Sequence, residues 1–296
     1  MPTLKEIKGR IGSVKSTLKI TSAMKLVSSA KLRKAQVAIE AMRPYEEALQ
    51  EILASVKIPG QAGNEVEGAV NVESVMPDTD RASKPTAIVA MASNSSLCGG
   101  FNSNIIAKVR SERHPGDVVY SMGRKMADAM RRDGFPSPED LNALAEHPAY
   151  SPAAALVEKL AREVEEGRYA RVLLVYTHFV STARQVPVAE QLLPAVTVIP
   201  DTNTVMPGSD RASEDVLIEP GKKELLESLL PKTLKLKLYA AMLDSAAAEH
   251  AARTVAMQTA TDNAENLLSE LTLQYNKGRQ QKITAEILDL AGGQTE

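Results

Sequence analysis

The sequence predicts an α/β domain inserted between two long helices that pair as an antiparallel coiled coil. Three observations lead to this fold class. Proline is absent from residues 3–43 and again from residues 232–296, so each end can form one long helix. The apolar residues at both ends recur in alternating steps of three and four. Between the ends, short β-type segments alternate with amphipathic helical segments.

The first predicted element is a coiled-coil helix in residues 1–58. At 1.5 Å per residue, a helix of roughly 50 residues is about 75 Å long, which exceeds the diameter of a globular domain. Its apolar residues form a narrow seam, and a narrow seam pairs one helix with another. The seam positions are Leu4, Ile7, Ile11, Val14 and Leu18, followed by Ala35, Ala38, Met42, Tyr45, Leu49 and Ile52.

The middle of the chain has a different pattern. Residues 59–84 are rich in Gly, acidic and small polar residues and are predicted to be a linker. A Rossmann-like α/β domain is predicted for residues 85–220, because strands alternating with helices imply βαβ units around a mostly parallel sheet. The expected strands are 86–92, 117–121, 171–179 and 186–193, with shorter extended pieces at 197–200 and 216–219. The expected helices are 102–112, 124–132 and 152–166.

The last predicted element is a second coiled-coil helix in residues 221–296. Its heptad positions are Leu236, Tyr239, Leu243, Ala246, His250, Arg253, Met257, Ala260, Ala264, Leu267 and Leu271. A polar residue in a seam, such as His250, usually fixes the register of the pair. The two seams together predict a rod on which both termini lie side by side.

Composition limits the classes of protein that remain. Aromatic residues make up 3% of the 296 residues and Trp is absent, as is typical of the thin core of a rod. No apolar run reaches the roughly 18 residues of a membrane span, and no signal peptide is recognisable. With Cys98 as the one cysteine, neither an intramolecular disulfide nor a Cys-based zinc site can form. A cytoplasmic location is therefore expected.

Charge is distributed unevenly although the net charge is −2. Residues 1–43 hold ten Lys or Arg against two acidic residues, whereas the C-terminal helix is nearly balanced. The two helices could complement each other across the seam, or spare cations could meet an acidic partner. The cations available for such a partner are Lys15, Lys19, Lys25, Lys31, Arg33 and Lys34. A nucleic-acid partner is not expected, because clustered aromatics and a recognition motif are both missing.

The best candidate for chemistry in the α/β domain is the segment SLCGGFN, residues 96–102. Glycines at a helix N-terminus can bind an anion, and Cys98 could act as a nucleophile. The segment matches neither phosphate-binding motif, so we interpret Cys98, Gly99 and Gly100 as a tight structural turn. The histidines at 114, 147 and 178 show no metal-ligand spacing. No catalytic residue, cofactor or metal is expected.

Two other classes of protein remain open at this point. A cytoplasmic α/β enzyme with a helical oligomerisation arm would need a ligand at the Cys98-Gly99-Gly100 turn. A basic coiled-coil adaptor would bind nucleic acid with a steep salt dependence.

Three segments resemble one known family. LKEIKGRIGSVKSTLKITSAMKLVSSAKLRKAQ (residues 4–36) resembles the N-terminal helix of the gamma subunit of bacterial F-type ATP synthase. HAARTVAMQTATDNAENLLSELTLQYNKGRQQKITAEILDLAGG (residues 250–293) resembles the C-terminal signature helix of that subunit, and SLCGGFN resembles the turn after its first strand. The resemblance spans about the whole chain, in the same order.

The resemblance implies a function and a set of partners. Members of the family are the central rotor shaft of the proton-translocating ATP synthase and have no active site of their own. The coiled coil turns inside a ring of alpha and beta subunits, while its foot rests on the membrane ring of c subunits beside the epsilon subunit. The implied location is the cytoplasmic face of the bacterial inner membrane, without a transmembrane segment.

Contact residues follow from the same resemblance. Met24 and Lys25 match positions that face the acidic lever of a beta subunit, and Arg279 and Gln280 match a polar catch on a beta-subunit loop. The stripe expected at the shaft tip, inside the alpha/beta sleeve, consists of Ile283, Ile287 and Leu290.

Three departures from the family pattern are visible. Asn94, Ser95 and Ser96 replace an Asp-Arg-Gly segment, so the ionic contacts of that loop are in doubt. Gln294 follows the two glycines of the C-terminal signature, where the family has alanine. The segment 60–84 is longer and more acidic than the usual connection.

Overall fold

The computed structural model describes residues 3–56, 84–194 and 221–292. The extended pieces expected at 197–200 and 216–219, and nearly all of the expected linker, lie outside these residues. The elements are α1 (Leu4–Val56), β1 (Thr86–Met91), α2 (Phe101–Glu112), β2 (Val118–Met122), α3 (Arg124–Arg132), α4 (Asn142–Glu146), α5 (Tyr150–Glu165), β3 (Arg171–Phe179), β4 (Gln185–Leu193) and α6 (Lys222–Gly292).

The two long helices form the predicted antiparallel pair. α1 has 53 residues and α6 has 71, and each continues through one proline, Pro44 or Pro231. Gly278 of α6 lies against Leu4, where an added Cβ would come within 3.1 Å of the leucine side chain. Further along α1, Thr21 accepts a hydrogen bond from the Thr261 hydroxyl at 3.0 Å. Contacts that advance along α1 therefore run backwards along α6.

Small side chains fill much of the contact between the two helices. Ala247 and Ala251 of α6 are fully buried and pack with Leu32 of α1. Ser28 of α1 is also buried. Because small residues let two backbones approach closely, the helices interlock with little free space between them.

The predicted seam is wrong at three positions. Tyr45, Ile52 and Leu267 are 56%, 43% and 45% exposed. Their neighbours Glu46 and Leu268 are half-buried instead. An α-helix has 3.6 residues per turn, so a strict seven-residue repeat drifts around the helix and the buried position moves to the next residue.

The sheet confirms the mostly parallel α/β arrangement. Its strand order is β2-β1-β3-β4, with β1 parallel to β2 and β3, and β4 antiparallel to β3. β3 and α3 have the bounds expected from the sequence, and the other expected strands and helices of the α/β domain agree to within two residues. The short helix α4 was not expected.

The two faces of the sheet have different coverings. On one face, Val89 and Leu174 pack with Leu238 and Met242 of α6 and with residues of α5. On the other face, Ile88 and its neighbours pack against α2 and α3. Helix α6 therefore belongs both to the rod and to the core of the α/β domain. None of the described helices is long and apolar enough to span a membrane.

We expect Ala251→Leu to lower the free energy of unfolding by about 1–3 kcal/mol, because extra methylene groups overpack a closed helix contact. Urea unfolding of the purified chain measures the change. Ala285→Leu is the matched control at an exposed position of the same helix and should change stability by less than about 0.5 kcal/mol. Equal effects of the two substitutions would contradict the close contact between the helices.

Candidate functional site

The turn after β1 is folded around Cys98. Its thiol is 1% exposed and packs between Phe101 of α2 and Ala248 of α6. The Asn102 amide donates a hydrogen bond to the Cys98 sulfur at 3.1 Å. Gly99 has a φ of +55°, in the left-handed region that favours glycine. In this geometry the thiol is a packing group and is shielded from solvent.

Helix α6 covers one side of the crevice in which α/β domains commonly bind a ligand. That crevice lies at the carboxyl ends of the parallel strands, where the strand order reverses, here between β1 and β3. Met242 and Glu249 of α6 sit opposite Met91 and Met122 at the ends of β1 and β2. They leave a cavity of about 10 Å³, room for about one water molecule. Beside the turn after β1 and the carboxyl end of β3, the helix leaves a larger cavity of about 190 Å³.

A buried ion pair fastens the helix at this crevice. The Arg253 guanidinium donates to Glu249 Oε1 at 2.6 Å, and the two side chains are only 9% and 11% exposed. Arg253 also donates to the Ser95 hydroxyl at 2.8 Å. Burial raises the pKa of Glu249, and the charge of Arg253 partly offsets this increase. The pair therefore links the shaft to the turn after β1.

Two of the three residues that depart from the family pattern, Asn94 and Ser95, make polar contacts of their own. Asn94 accepts a hydrogen bond from the Arg124 backbone N–H at 2.9 Å and donates one to the Asn142 carbonyl at 2.9 Å. Ser95 accepts the bond from Arg253. The segment thus connects β1 with α3, α4 and α6 through neutral groups, without the charged residues of the family pattern.

A second polar link joins the carboxyl end of β3 to the shaft. The Asp244 carboxylate of α6 accepts a hydrogen bond from the Phe179 backbone N–H at 2.9 Å. It also lies 2.5 Å from His178 Nδ1. The α/β domain is therefore bonded to α6 through Asp244 and also through Arg253, both at the carboxyl edge of the parallel strands. Neither link was expected from the sequence.

The residues expected to contact a beta subunit lie at two separate levels of the rod. Arg279 and Gln280 are exposed and follow Gly278, which lies beside Leu4. Met24 is half-buried and lies 20 residues further along α1, which is about 30 Å at 1.5 Å per residue. The structure therefore does not bring the two groups together into one site.

The C-terminal part of α6 presents apolar side chains to solvent. Ile283, Ile287 and Leu290 are 47%, 59% and 75% exposed. Similar side chains that were not expected from the sequence are exposed on both long helices: Leu273 and Leu288 of α6, and Ile20, Leu26, Val27 and Val37 of α1. Large exposed apolar side chains that are grouped in this way indicate contact with other proteins.

His250 occupies the seam position that the sequence predicted. Burial, together with the charges of Arg253 and Lys31, lowers the pKa of His250 to about 4. A neutral imidazole is the form that fits beside two cations. Among the described residues, no group of three or more His, Cys, Asp or Glu is arranged to hold a metal ion.

Comparisons with known proteins agree on one family. The family model described as ATP synthase matches residues 3–295. The chain is 46% identical to the ATP synthase gamma chain of Phocaeicola vulgatus, with 99% of both chains covered. It is 40% identical to the ATP synthase gamma chain of Flavobacterium johnsoniae, with 99% of this chain and 98% of that one covered.

Solved structures share the fold. The rotor of the Euglena gracilis mitochondrial ATP synthase matches with a TM-score of 0.65 and 21% identity, over 95% of this chain and 98% of that one. The central stalk of the Tetrahymena thermophila mitochondrial ATP synthase matches with a TM-score of 0.53 and 22% identity, over 81% and 99%. Distant sequences therefore adopt the same arrangement of paired helices and an inserted α/β domain.

Removing the charge of Arg253 should destabilise the chain through Glu249. We expect Arg253→Met to cost about 3 kcal/mol, because it leaves a buried carboxylate without its partner. The double variant Glu249→Gln/Arg253→Met should regain most of this loss. Ser95→Ala removes one hydrogen bond and should cost about 1 kcal/mol. Urea unfolding at neutral pH measures all three, and equal losses for Arg253→Met and Ser95→Ala would contradict the buried pair.

Acid should destabilise the chain through His250. The unfolded chain protonates this histidine near pH 6.5, whereas the folded chain keeps it neutral down to about pH 4. The unfolded state therefore binds more protons between these values, and stability falls as the pH is lowered through the window. We expect His250→Gln to remove about 1–3 kcal/mol of this pH dependence, measured by urea unfolding at several pH values. An identical pH profile for both proteins would refute the lowered pKa.

Proposed function

The chain belongs to the ATP synthase gamma-chain family. From this premise we propose which of its surfaces contact the other subunits when it acts as a rotor shaft. A gamma chain is a non-catalytic subunit of the F-type ATP synthase. It is the central stalk, which couples proton-driven rotation of the membrane ring to ATP synthesis and hydrolysis at the beta subunits.

The partners and the location proposed here follow from that role. Alpha and beta subunits surround the coiled coil, and the epsilon subunit and the ring of c subunits hold the foot of the rod. The chain lies at the cytoplasmic face of the bacterial inner membrane as a peripheral subunit. Support comes from the family membership and from the exposed apolar side chains at the end of α6.

The observation that carries the proposal is that one helix serves both the rod and the α/β domain. α6 pairs with α1 and also packs on one face of the sheet, and Arg253 and Asp244 bond it to the α/β domain. A torque applied to the α/β domain must therefore pass into the coiled coil. A flexible connection between the two parts would dissipate the rotation.

The tip of the shaft turns against an apolar sleeve made by the alpha and beta subunits. Ile283, Ile287 and Leu290 supply the matching surface. Apolar contacts are non-directional, so they allow a rotating tip to stay enclosed without one preferred angle. These side chains would be an aggregation liability in a protein that acted alone.

The sides of the shaft engage the beta subunits through polar groups. Lys25, next to Met24, faces the acidic lever of a beta subunit, and Arg279 with Gln280 forms a catch for a beta-subunit loop. Charged hydrogen bonds at exposed positions form and break readily, because water replaces the lost partner. Such contacts suit a surface that meets three beta subunits in turn.

Arg279→Ala tests the catch. We expect coupled ATP synthesis in the assembled enzyme to fall about tenfold, because a hydrogen bond to a charged group contributes about 1.5–3 kcal/mol. The purified variant should unfold at the same urea concentration as the unchanged chain, since the Arg279 side chain is exposed.

Lys277→Ala is the matched control, because it removes a second exposed cation two residues away. It should leave synthesis within about twofold of the unchanged enzyme. Undiminished synthesis in Arg279→Ala, or an equal loss in Lys277→Ala, would contradict the assignment of the catch.

A further inference from the structure

A cluster of cations covers the outer side of helix α3. We define this basic face as Arg124, Lys125, Arg131 and Arg132. Four of the nine residues of the helix are thus basic, and Asp128 is its one acidic residue. The net charge of the chain is −2, so the face is opposite in sign to the molecule as a whole.

The basic face points away from the shaft. α3 packs on the sheet through Met126, Ala129 and Met130, which are all buried on the face that carries α2. Helix α6 covers the opposite face of the sheet. The cations are therefore not used to hold the coiled coil to the domain.

Two of these cations occupy positions that lower the stability of α3. Arg124 and Lys125 occupy the first turn of α3, and that turn contains no acidic residue. The N-terminus of a helix carries a partial positive charge, so cations there are repelled by the helix dipole. Helix stability does not account for these two residues.

Neighbouring acids leave most of this charge uncompensated. Within the described residues, Arg124 and Lys125 form no ion pair. Arg131 lies 3.5 Å from Asp128, but both side chains are more than half exposed, so solvent screens the pair. The Arg132 guanidinium donates to the backbone carbonyl of Asp128, and the nearby Asp133 carboxylate forms its ion pair with Arg110 at 2.7 Å.

The basic face is positively charged and has no large apolar side chain to which a protein partner could bind. Met126, Ala129 and Met130 of α3 are buried in the core. A partner helix or peptide therefore finds no apolar groove and no hot-spot side chain on this face. A broad, flat polyanionic surface can bind through charge alone, so it needs neither a groove nor a hot-spot side chain. We infer that the basic face binds the anionic headgroups of a lipid bilayer. This binding is separate from the rotor function and can be measured on the isolated chain.

Co-sedimentation of the full chain with lipid vesicles tests the inference. At low salt the chain should bind vesicles that contain phosphatidylglycerol and should not bind vesicles of phosphatidylcholine alone. Arg124→Gln/Lys125→Gln should weaken the binding about 30-fold, the equivalent of about 1 kcal/mol for each cation. Because the substitutions remove the conflict with the helix dipole, the variant should fold at least as stably as the unchanged chain.

Lys15→Gln/Lys19→Gln is the matched control. It removes the same amount of charge from two exposed positions of α1. This variant should keep its affinity for the anionic vesicles to within about threefold, since charges far from the bound surface are screened.

Several results would overturn the inference. They are failure of the chain to bind anionic vesicles, equal binding to both kinds of vesicle, and equal losses in the two double variants. If Arg124→Gln/Lys125→Gln kept its vesicle affinity but lost a subunit from the assembled enzyme, the basic face would be a contact for an acidic protein.

Discussion

The structure depends on the close antiparallel contact between α1 and α6. Ala247 and Ala251 let the two helices approach, and the hydroxyls of Thr21 and Thr261 meet inside the contact and set the register. Neither helix could be stable at this length alone in water, because a single amphipathic helix gains its stability from the surface it buries. The α/β domain also depends on α6 for its stability, because this helix covers one face of the sheet.

The packing of α6 on the sheet explains how a fold that commonly binds nucleotides serves here as a mechanical part. In most α/β domains the carboxyl ends of the strands leave an opening for a ligand. In this chain α6 lines one side of that opening, and the Arg253–Glu249 pair is bonded to the turn after β1. A buried ion pair adds little net stability, but it penalises any displacement that would separate the charges. The pair thus favours one fixed orientation of the domain on the shaft.

Much of the fold could be predicted from the sequence, because local patterns determine it. The absence of proline, together with apolar residues spaced three and four apart, was sufficient to predict the long helices. A continuous apolar run was sufficient to predict β3. The heptad positions Tyr45 and Leu267 were wrong because the helix repeat drifts over many turns. The Arg253–Ser95 and Asp244–His178 links join residues far apart in sequence, and periodicity carries no information about such pairs. The proposed contact residues Met24, Lys25, Arg279 and Gln280 rest on family resemblance alone, because residues on a helix surface show no pattern that marks a partner contact.

The most direct test of the rotor function is recovery of the chain with its partners from native membranes. A tagged copy is purified after detergent extraction, and the co-purifying subunits are identified and quantified by mass spectrometry. A rotor shaft should bring down alpha, beta and epsilon subunits, with about three alpha and three beta subunits for each copy of the chain. Recovery of the chain alone, or only with further copies of itself, would contradict its function as the central stalk.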